Sequence, residues 1–197
     1  MKIYKITTYS FSELSEEAQE KAIDDNRHWN TDYEWWDYIC EDAKTIGALL
    51  GIDINDIYFS GFYSQGDGAM FTGNYSYKAG STKAVKAYAP LDKDLHEIAQ
   101  NLQDIQKQYF YCITASTSHS GHYYHSGCMQ VNVYGDDDIL GYERELPEED
   151  ITNQLRYFAD WIYSQLEKEY EYLTSDEVVK ESLIANEVEF NVNGSIY

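Results

Sequence analysis

Cations are scarce in this chain: 14 Lys and Arg stand against 35 Asp and Glu in 197 residues, a formal net charge of −21. That excludes the clustered Lys and Arg with which a protein grips nucleic acid directly. It also works against attraction to anionic lipid, and no apolar run approaches the ~18 residues that suggest a membrane span. Proline occurs twice and cysteine three times. Cys40, Cys112 and Cys128 are odd in number and lack framework spacing, so no disulfide scaffold is expected. The first forty residues contain neither a basic n-region nor an apolar h-region. The expectation is a protein of the cytoplasm with reduced thiols and no membrane partner.

What is abundant argues for a folded chain. Apolar residues make up 43% and aromatic residues 16%, with 20 Tyr, too many for an acidic disordered tail. The length suits a single domain over residues 1–197, with enough core to need no metal or disulfide and no cofactor. Residues 2–9 read as a first strand. Ser15 caps a helix with Glu16 and Glu17 at its positive end, and Tyr33, Trp36, Ile39, Ala43, Ile46 and Leu50 trace a second helix that Gly51 stops. Residues 57–63 and 69–77 form a hairpin around Ser64-Gln65-Gly66-Asp67-Gly68. A stretch without acids from Gly68 to Leu91, carrying Lys78, Lys83 and Lys86, reads as a basic patch or flexible loop. Leu91 to Tyr109 is a third helix, and residues 110–116 and 123–134 a second hairpin. Pro147 opens the longest helix, with Ile151, Leu155, Phe158, Ile162 and Leu166 along its stripe. Ser175 starts a last helix before a closing strand over residues 188–192. Together these give an α+β fold, a largely antiparallel sheet with about four or five helices packed on it.

The charge is uneven. Residues 1–134 hold 18 acidic and 10 basic residues, whereas residues 135–197, the acidic helical C-terminal part, hold 17 and 4. A domain of this length spans roughly 40 Å, over which B-DNA sets out about 25 phosphates. The excess charge is thus of the order of a short duplex.

Trp35-Trp36-Asp37, Glu41-Asp42-Ala43, Gly51-Ile52 and above all Phe59-Ser60-Gly61-Phe62, followed by Ser64-Gln65-Gly66-Asp67-Gly68-Ala69, resemble a family of uncharacterised tailed-bacteriophage and prophage proteins. Some members carry the automatic label of antitoxin of a toxin-antitoxin stability system. The resemblance covers residues 12–75 and, more loosely, residues 122–134. It implies phage origin and a host bacterial cytoplasm, and brings no activity to any residue.

Three features merit weighing as sites. Gln65, Gly66, Asp67 and Gly68 form a possible ligand loop, because two glycines let backbone amides approach a ligand and Asp67 can accept a proton. A hairpin turn explains the same residues, and no phosphate loop is present. His119, His122, His125 and Cys128 are chemically suited to zinc, but residues three apart on an extended chain point oppositely, so no metal site is assigned. Asp136-Asp137-Asp138 lacks the calcium-loop pattern and reads as a solvated turn. No nucleophile elbow, zincin helix or dinucleotide fingerprint appears, and the expectation is a protein that is not an enzyme and has no catalytic residues.

The function expected from charge and resemblance is a phage-encoded inhibitor of a host nucleic-acid-binding defence system, anti-CRISPR or anti-restriction, acting through an acidic DNA-mimicking surface. Its partner is a CRISPR effector, nuclease or similar protein. Glu148, Glu149, Asp150, Asp160, Glu167, Glu169 and Glu171 are the expected partner-binding carboxylates, flanked by Tyr163 and Tyr170 as aromatic anchors. Two alternatives stand beside it: a small-ligand or zinc-binding module using the Ser64 to Gly68 loop and the His-rich hairpin, and a phage assembly or interaction protein.

Overall fold

The strands are drawn from the parts of the chain with least charge. In the computed structural model, which describes residues 6–119, 121–141 and 143–197, β1 (Ile52–Ser60), β2 (Gly68–Ser76), β3 (Thr114–His119) and β4 (Met129–Tyr134) make one antiparallel sheet in the order β1-β2-β3-β4. β2, β3 and β4 contain no Asp, Glu, Lys or Arg, and β1 carries only Asp53 and Asp56. The α+β reading holds: the sheet is antiparallel throughout and seven α-helices are present among the described residues.

These helices are α1 (Glu16–Asp25), α2 (Asp37–Leu50), α3 (Ser81–Tyr88), α4 (Lys93–Gln108), α5 (Asp137–Leu140), α6 (Glu148–Leu173) and α7 (Asp176–Ala185). Two exceed the expected number. α3 lies where the acid-free stretch reads as a patch or loop; its entry residue Gly80 is left-handed and has no side chain to accept from the first helical amides, and the burial of Val85 and Ser81 holds it instead. α5 is one turn built on the Asp136 side chain, which accepts from the Asp138 amide at 3.0 Å. Other boundaries move inward. α4 begins after Asp92, whose carboxylate accepts from the Leu95 amide at 3.0 Å, and Leu91 is left 92% exposed. The expected strands at 2–9 and 188–192 reduce to two isolated bridges, Tyr9 with Phe190 and Phe190 with Ile196; residues 2–5 lie outside the described residues.

The chain forms two compact units, Asp37–Glu167 and Met1–Trp36 with Lys168–Tyr197. In the larger, the helices cover one face of the sheet. Phe71 of β2 meets Phe158 of α6 edge to face at 5.8 Å, and Gly47 of α2 lies against Ile52 and Ile54 of β1. Gly51 ends α2 at φ +89°, where a Cβ would sit 2.1 Å from the Ser76 oxygen; only glycine lets β1 leave the helix this close to β2. By register, Thr72, Asn74 and Ser76 pair with residues that share the opposite face, including Thr114, Ser116, Asn132 and Tyr134. Over these residues that second face is polar and uncharged apart from Asp53 and Asp56 at the β1 edge, while Met70 and Tyr58 continue it toward the β1–β2 turn.

The smaller unit closes around Phe11, Leu14, Ala18, Ala22, Val179, Leu183 and Phe190. Arg27 joins its segments: it donates to Asp24 at 2.5 Å, to Asp176 at 2.6 Å and to the Thr174 oxygen at 3.0 Å. These bonds, the one to Asp24 first, raise the guanidinium pKa further.

Gln106 of α4 is fully buried and fastens helix to sheet. Its Nε2 donates to the Ile113 oxygen at 2.7 Å and the Tyr75 hydroxyl at 3.2 Å, while its Oε1 accepts from the Ile113 amide at 3.3 Å. An alanine here orphans three buried polar groups, each costing about 1–3 kcal/mol. We expect Gln106→Ala to destabilise the protein by about 3 kcal/mol or more in urea unfolding; an unchanged midpoint would show that these groups find other partners.

Burial pushes the Tyr75 phenol up to about 12 from 10.0, the Gln106 hydrogen bond opposing it. Below pH 10 folded and unfolded chains both keep this proton, and between pH 10 and 12 only the folded chain does. Stability therefore falls as pH rises through that window, by about 2–3 kcal/mol from this group. Tyr75→Phe removes that part of the alkaline loss, measured as the difference between wild-type and variant unfolding at about pH 9 and at about pH 11.5, where most of the loss has accrued.

Candidate functional site: acidic clefts along α6

α6 lies with Ile151, Leu155, Phe158 and Ile162 fully buried. At 3.6 residues per turn, Glu149, Asp160 and Glu167 fall within ~20° of one another on the side opposite that stripe, ~16 Å and ~10 Å apart along the axis. Glu148 and Asp150 rotate to the two flanks. Glu149, Asp150, Asp160 and Glu148 are exposed and Glu167 is half-buried. Beyond, in the other unit, Glu171 is exposed and Glu169 half-buried.

The aromatic residues expected to flank these acids are built into the fold. Tyr163 stacks on Phe62 at 5.5 Å and donates to the Gly61 oxygen at 3.3 Å. Burial, then Glu167 and Asp67, raise its phenol. Tyr170 packs on Trp35 at 6.0 Å and meets His28 at 3.5 Å between hydroxyl and Nδ1. Both are wall residues rather than protruding anchors.

Two concave regions adjoin α6. At its N-terminal end a shallow groove of about 960 Å³ is lined by Glu145, Glu148, Glu149 and Asp150 together with Val131 of β4 and Arg156. Further along, between α4 and α6, a cleft of about 380 Å³ is lined by Asp94, Glu97, Asn101, Gln154, Tyr157, Asp160 and Trp161. Its wall is held in place: the Trp161 indole donates to Asp92 at 2.8 Å and lies parallel on Phe158. Asn101 donates to the Gln154 oxygen at 3.2 Å. Asp94, Glu97, Tyr157 and Trp161 escape a reading of the sequence, because only the pairing of α4 with α6 brings them to Asp160. The one available signal is that Asp94 and Glu97 are three apart, on one helix face.

The ion pairs of the described residues engage Asp24, Asp25, Glu41 and Asp176, and none involves Glu148, Glu149, Asp150, Asp160 or Glu167. Three cations of the same unit engage backbone and rings instead. Lys78 donates to the Ala48 oxygen, Arg156 to the Met129 oxygen, and Arg144 lies 4.6 Å over the Tyr109 ring while donating to the Gln108 oxygen.

The glycine loop and the histidine segment come together. Asp67 folds back on its own turn, its carboxylate accepting from the Ser64 amide at 2.7 Å. Gln65 is exposed. A Cβ on Gly66 would meet the Tyr123 ring at 3.0 Å, and one on Gly68 would lie 2.5 Å from the His125 Cβ. Tyr124 stacks on Tyr58 at 5.5 Å and packs tilted against His119 at 5.1 Å. The glycines thus serve close packing of the β3–β4 connection over the β1–β2 turn. His125 accepts from the Gly127 amide through Nδ1 and faces the Cys128 sulfur at 3.4 Å through Nε2, whereas His119 contacts the Tyr123 oxygen. Among the described residues no three His, Cys, Asp or Glu side chains are grouped to hold a metal ion. No described helix is long and apolar enough to cross a membrane.

A family model described as Domain of unknown function (DUF8835) matches residues 35–176, and the chain belongs to that family. The match takes in the sheet and α2 to α6 whole, hence both clefts and the joined loops. Comparison with curated proteins and with solved structures gives no match.

Gly68→Ala drives a methyl group into His125 and forces the β3–β4 connection outward. The expected cost is about 1–3 kcal/mol of stability, read from the urea midpoint, with amide shifts concentrated at residues 121–128. Shifts confined to the β1–β2 turn would contradict the packing role.

Proposed function

We propose that the protein is a non-enzymatic, phage-encoded inhibitor that covers the nucleic-acid-binding face of a host defence protein, of the anti-CRISPR or anti-restriction kind, in the bacterial cytoplasm. The observation that carries this reading is the pair of acid-lined concavities beside α6, whose carboxylates enter none of the ion pairs of the described residues, with Arg156 the one cation lining either of them. Carboxylates so placed accept charge-assisted hydrogen bonds from Arg and Lys that otherwise hold phosphate. Overall charge supports it too, since a field of this size accelerates encounter with a basic surface. The mimicry is of charge and not of spacing: the outward carboxylates of α6 stand ~10–16 Å apart along the axis, far sparser than the phosphates of a duplex.

A second reading is favoured by the contact between the Gly66 to Gly68 turn and the His125 segment, which makes one built surface of the two loops. It is a ligand module, with His125 and Cys128 as a two-residue start of a zinc site. Stoichiometric zinc in protein purified without added metal, and a melting temperature lowered by chelator, would support it over the inhibitor.

The direct test passes host lysate over immobilised protein, elutes with salt and challenges the bound fraction with duplex DNA. We expect a nuclease or CRISPR effector that duplex DNA displaces. We further expect Glu148, Glu149, Asp150 and Glu167 all replaced by Lys to weaken that complex at least ~10-fold in titration at ~0.1 M salt. Binding that ignores both DNA and the four reversals sinks the proposal.

A further inference from the structure

We propose that the α4–α6 cleft is a pocket for one arginine side chain of an extended peptide segment, a specificity element resting on the inhibitor reading. The volume, about 380 Å³, is of the size that houses a small ligand. Three carboxylates, Asp94 and Glu97 from α4 and Asp160 from α6, line it with no cation among its walls. Tyr157 and Trp161 supply aromatic surface, and Trp161 is fixed by Asp92 and Phe158. Carboxylates beside ring faces are the environment a planar guanidinium fits, by forked hydrogen bonds and by stacking.

A second observation concerns the cleft floor. Gln154 is 8% exposed, and only its oxygen is engaged, by Asn101 at 3.2 Å; its Nε2 has no partner among the described residues. That amide donor is free to take an acceptor brought into the cleft by a ligand. A guanidinium, which only donates, leaves it open, whereas the backbone carbonyl of the peptide bearing that arginine supplies the missing acceptor. The combination therefore selects an arginine within a polypeptide over a free polyamine or a bare guanidinium compound. It also selects against lysine, whose compact ammonium does not stack.

The test uses the full chain and a small probe, so that it stands apart from the identity of any host partner. The indole N–H of Trp161 is followed by ¹H–¹⁵N NMR during titration with N-acetyl-arginine N-methylamide, and in parallel with agmatine, which has the guanidinium but no carbonyl, and with N-acetyl-lysine N-methylamide. We expect saturable shifts of Trp161 with a Kd of about 1 mM for the arginine amide, and at least ~3-fold weaker binding of the other two. In Glu97→Gln/Asp160→Asn, both at exposed positions, the affinity falls ~10-fold or more while the melting temperature stays near wild type. No saturable shift in the wild type overturns the pocket, as does equal affinity in the double variant. Equal binding of all three probes overturns the arginine assignment. If the pocket passes and no host protein is captured, the inhibitor reading fails alone; if a DNA-displaceable partner binds the double variant as well as wild type, the pocket's role in that complex fails alone.

Discussion

Thirty-five carboxylates in 197 residues oblige this fold to keep charge off every surface that must pack. Burying an ionised carboxylate without a partner costs far more than a fold of ordinary stability can offset. The chain meets the constraint by segregation. Strands β2, β3 and β4 are free of charged residues, so their ladder and both their faces form without desolvating an ion. The acids are left to helix starts, turns and outward helix faces. There, capping and the helix dipole stabilise some of them, as at Glu16 and Glu17 after Ser15 or Glu148 to Asp150 at the head of α6.

A core built without charge still contains polar backbone, and that is where Gln106 matters. The segment entering β3 has no strand partner at Ile113, and the Gln106 amide completes both its backbone groups while engaging Tyr75 of β2. One neutral side chain thus does what an ion pair does in other proteins, with no net charge added to a molecule already short of cations. Arg27 plays the corresponding part in the smaller unit, spending one of the 14 cations on three acceptors.

Much of the fold was legible in the sequence because helical stripes and turn residues are local signals. The α6 stripe from Ile151 to Leu166, the Ser15 and Ser175 caps and the Gly51 stop all occur where spacing puts them. Misreadings arise where a local signal is outvoted by packing. Ser81 to Tyr88 has weak helix ends and looks like a loop, yet Val85 finds a buried site. Residues 110–113 are rich in aromatic and β-branched side chains, but Phe110 and Tyr111 adopt φ of +53° and +63°, and β3 begins only at Thr114. The acidic face was legible as charge but not as shape. Asp160 was visible as one more carboxylate of α6; that it meets Asp94, Glu97 and Trp161 depends on a pairing of helices separated by some fifty residues.

Charge and shape serve different steps of recognition. The overall field acts at a distance of about a Debye length and governs how fast a basic partner arrives. It does not by itself discriminate one basic protein from another, because any cluster of Lys and Arg is drawn in. Discrimination resides in places where a side chain is desolvated and its geometry matters, and mutational differences among related complexes fall mostly on dissociation. In this molecule those places are concave: outward carboxylates such as Glu149 remain in water and give modest, salt-sensitive contacts, whereas Asp160 stands at a wall of indole and phenol. A protein that relied on its open helix face alone would be a general polyanion. The cleft between α4 and α6 is what gives this acidic surface a means of choosing among cations.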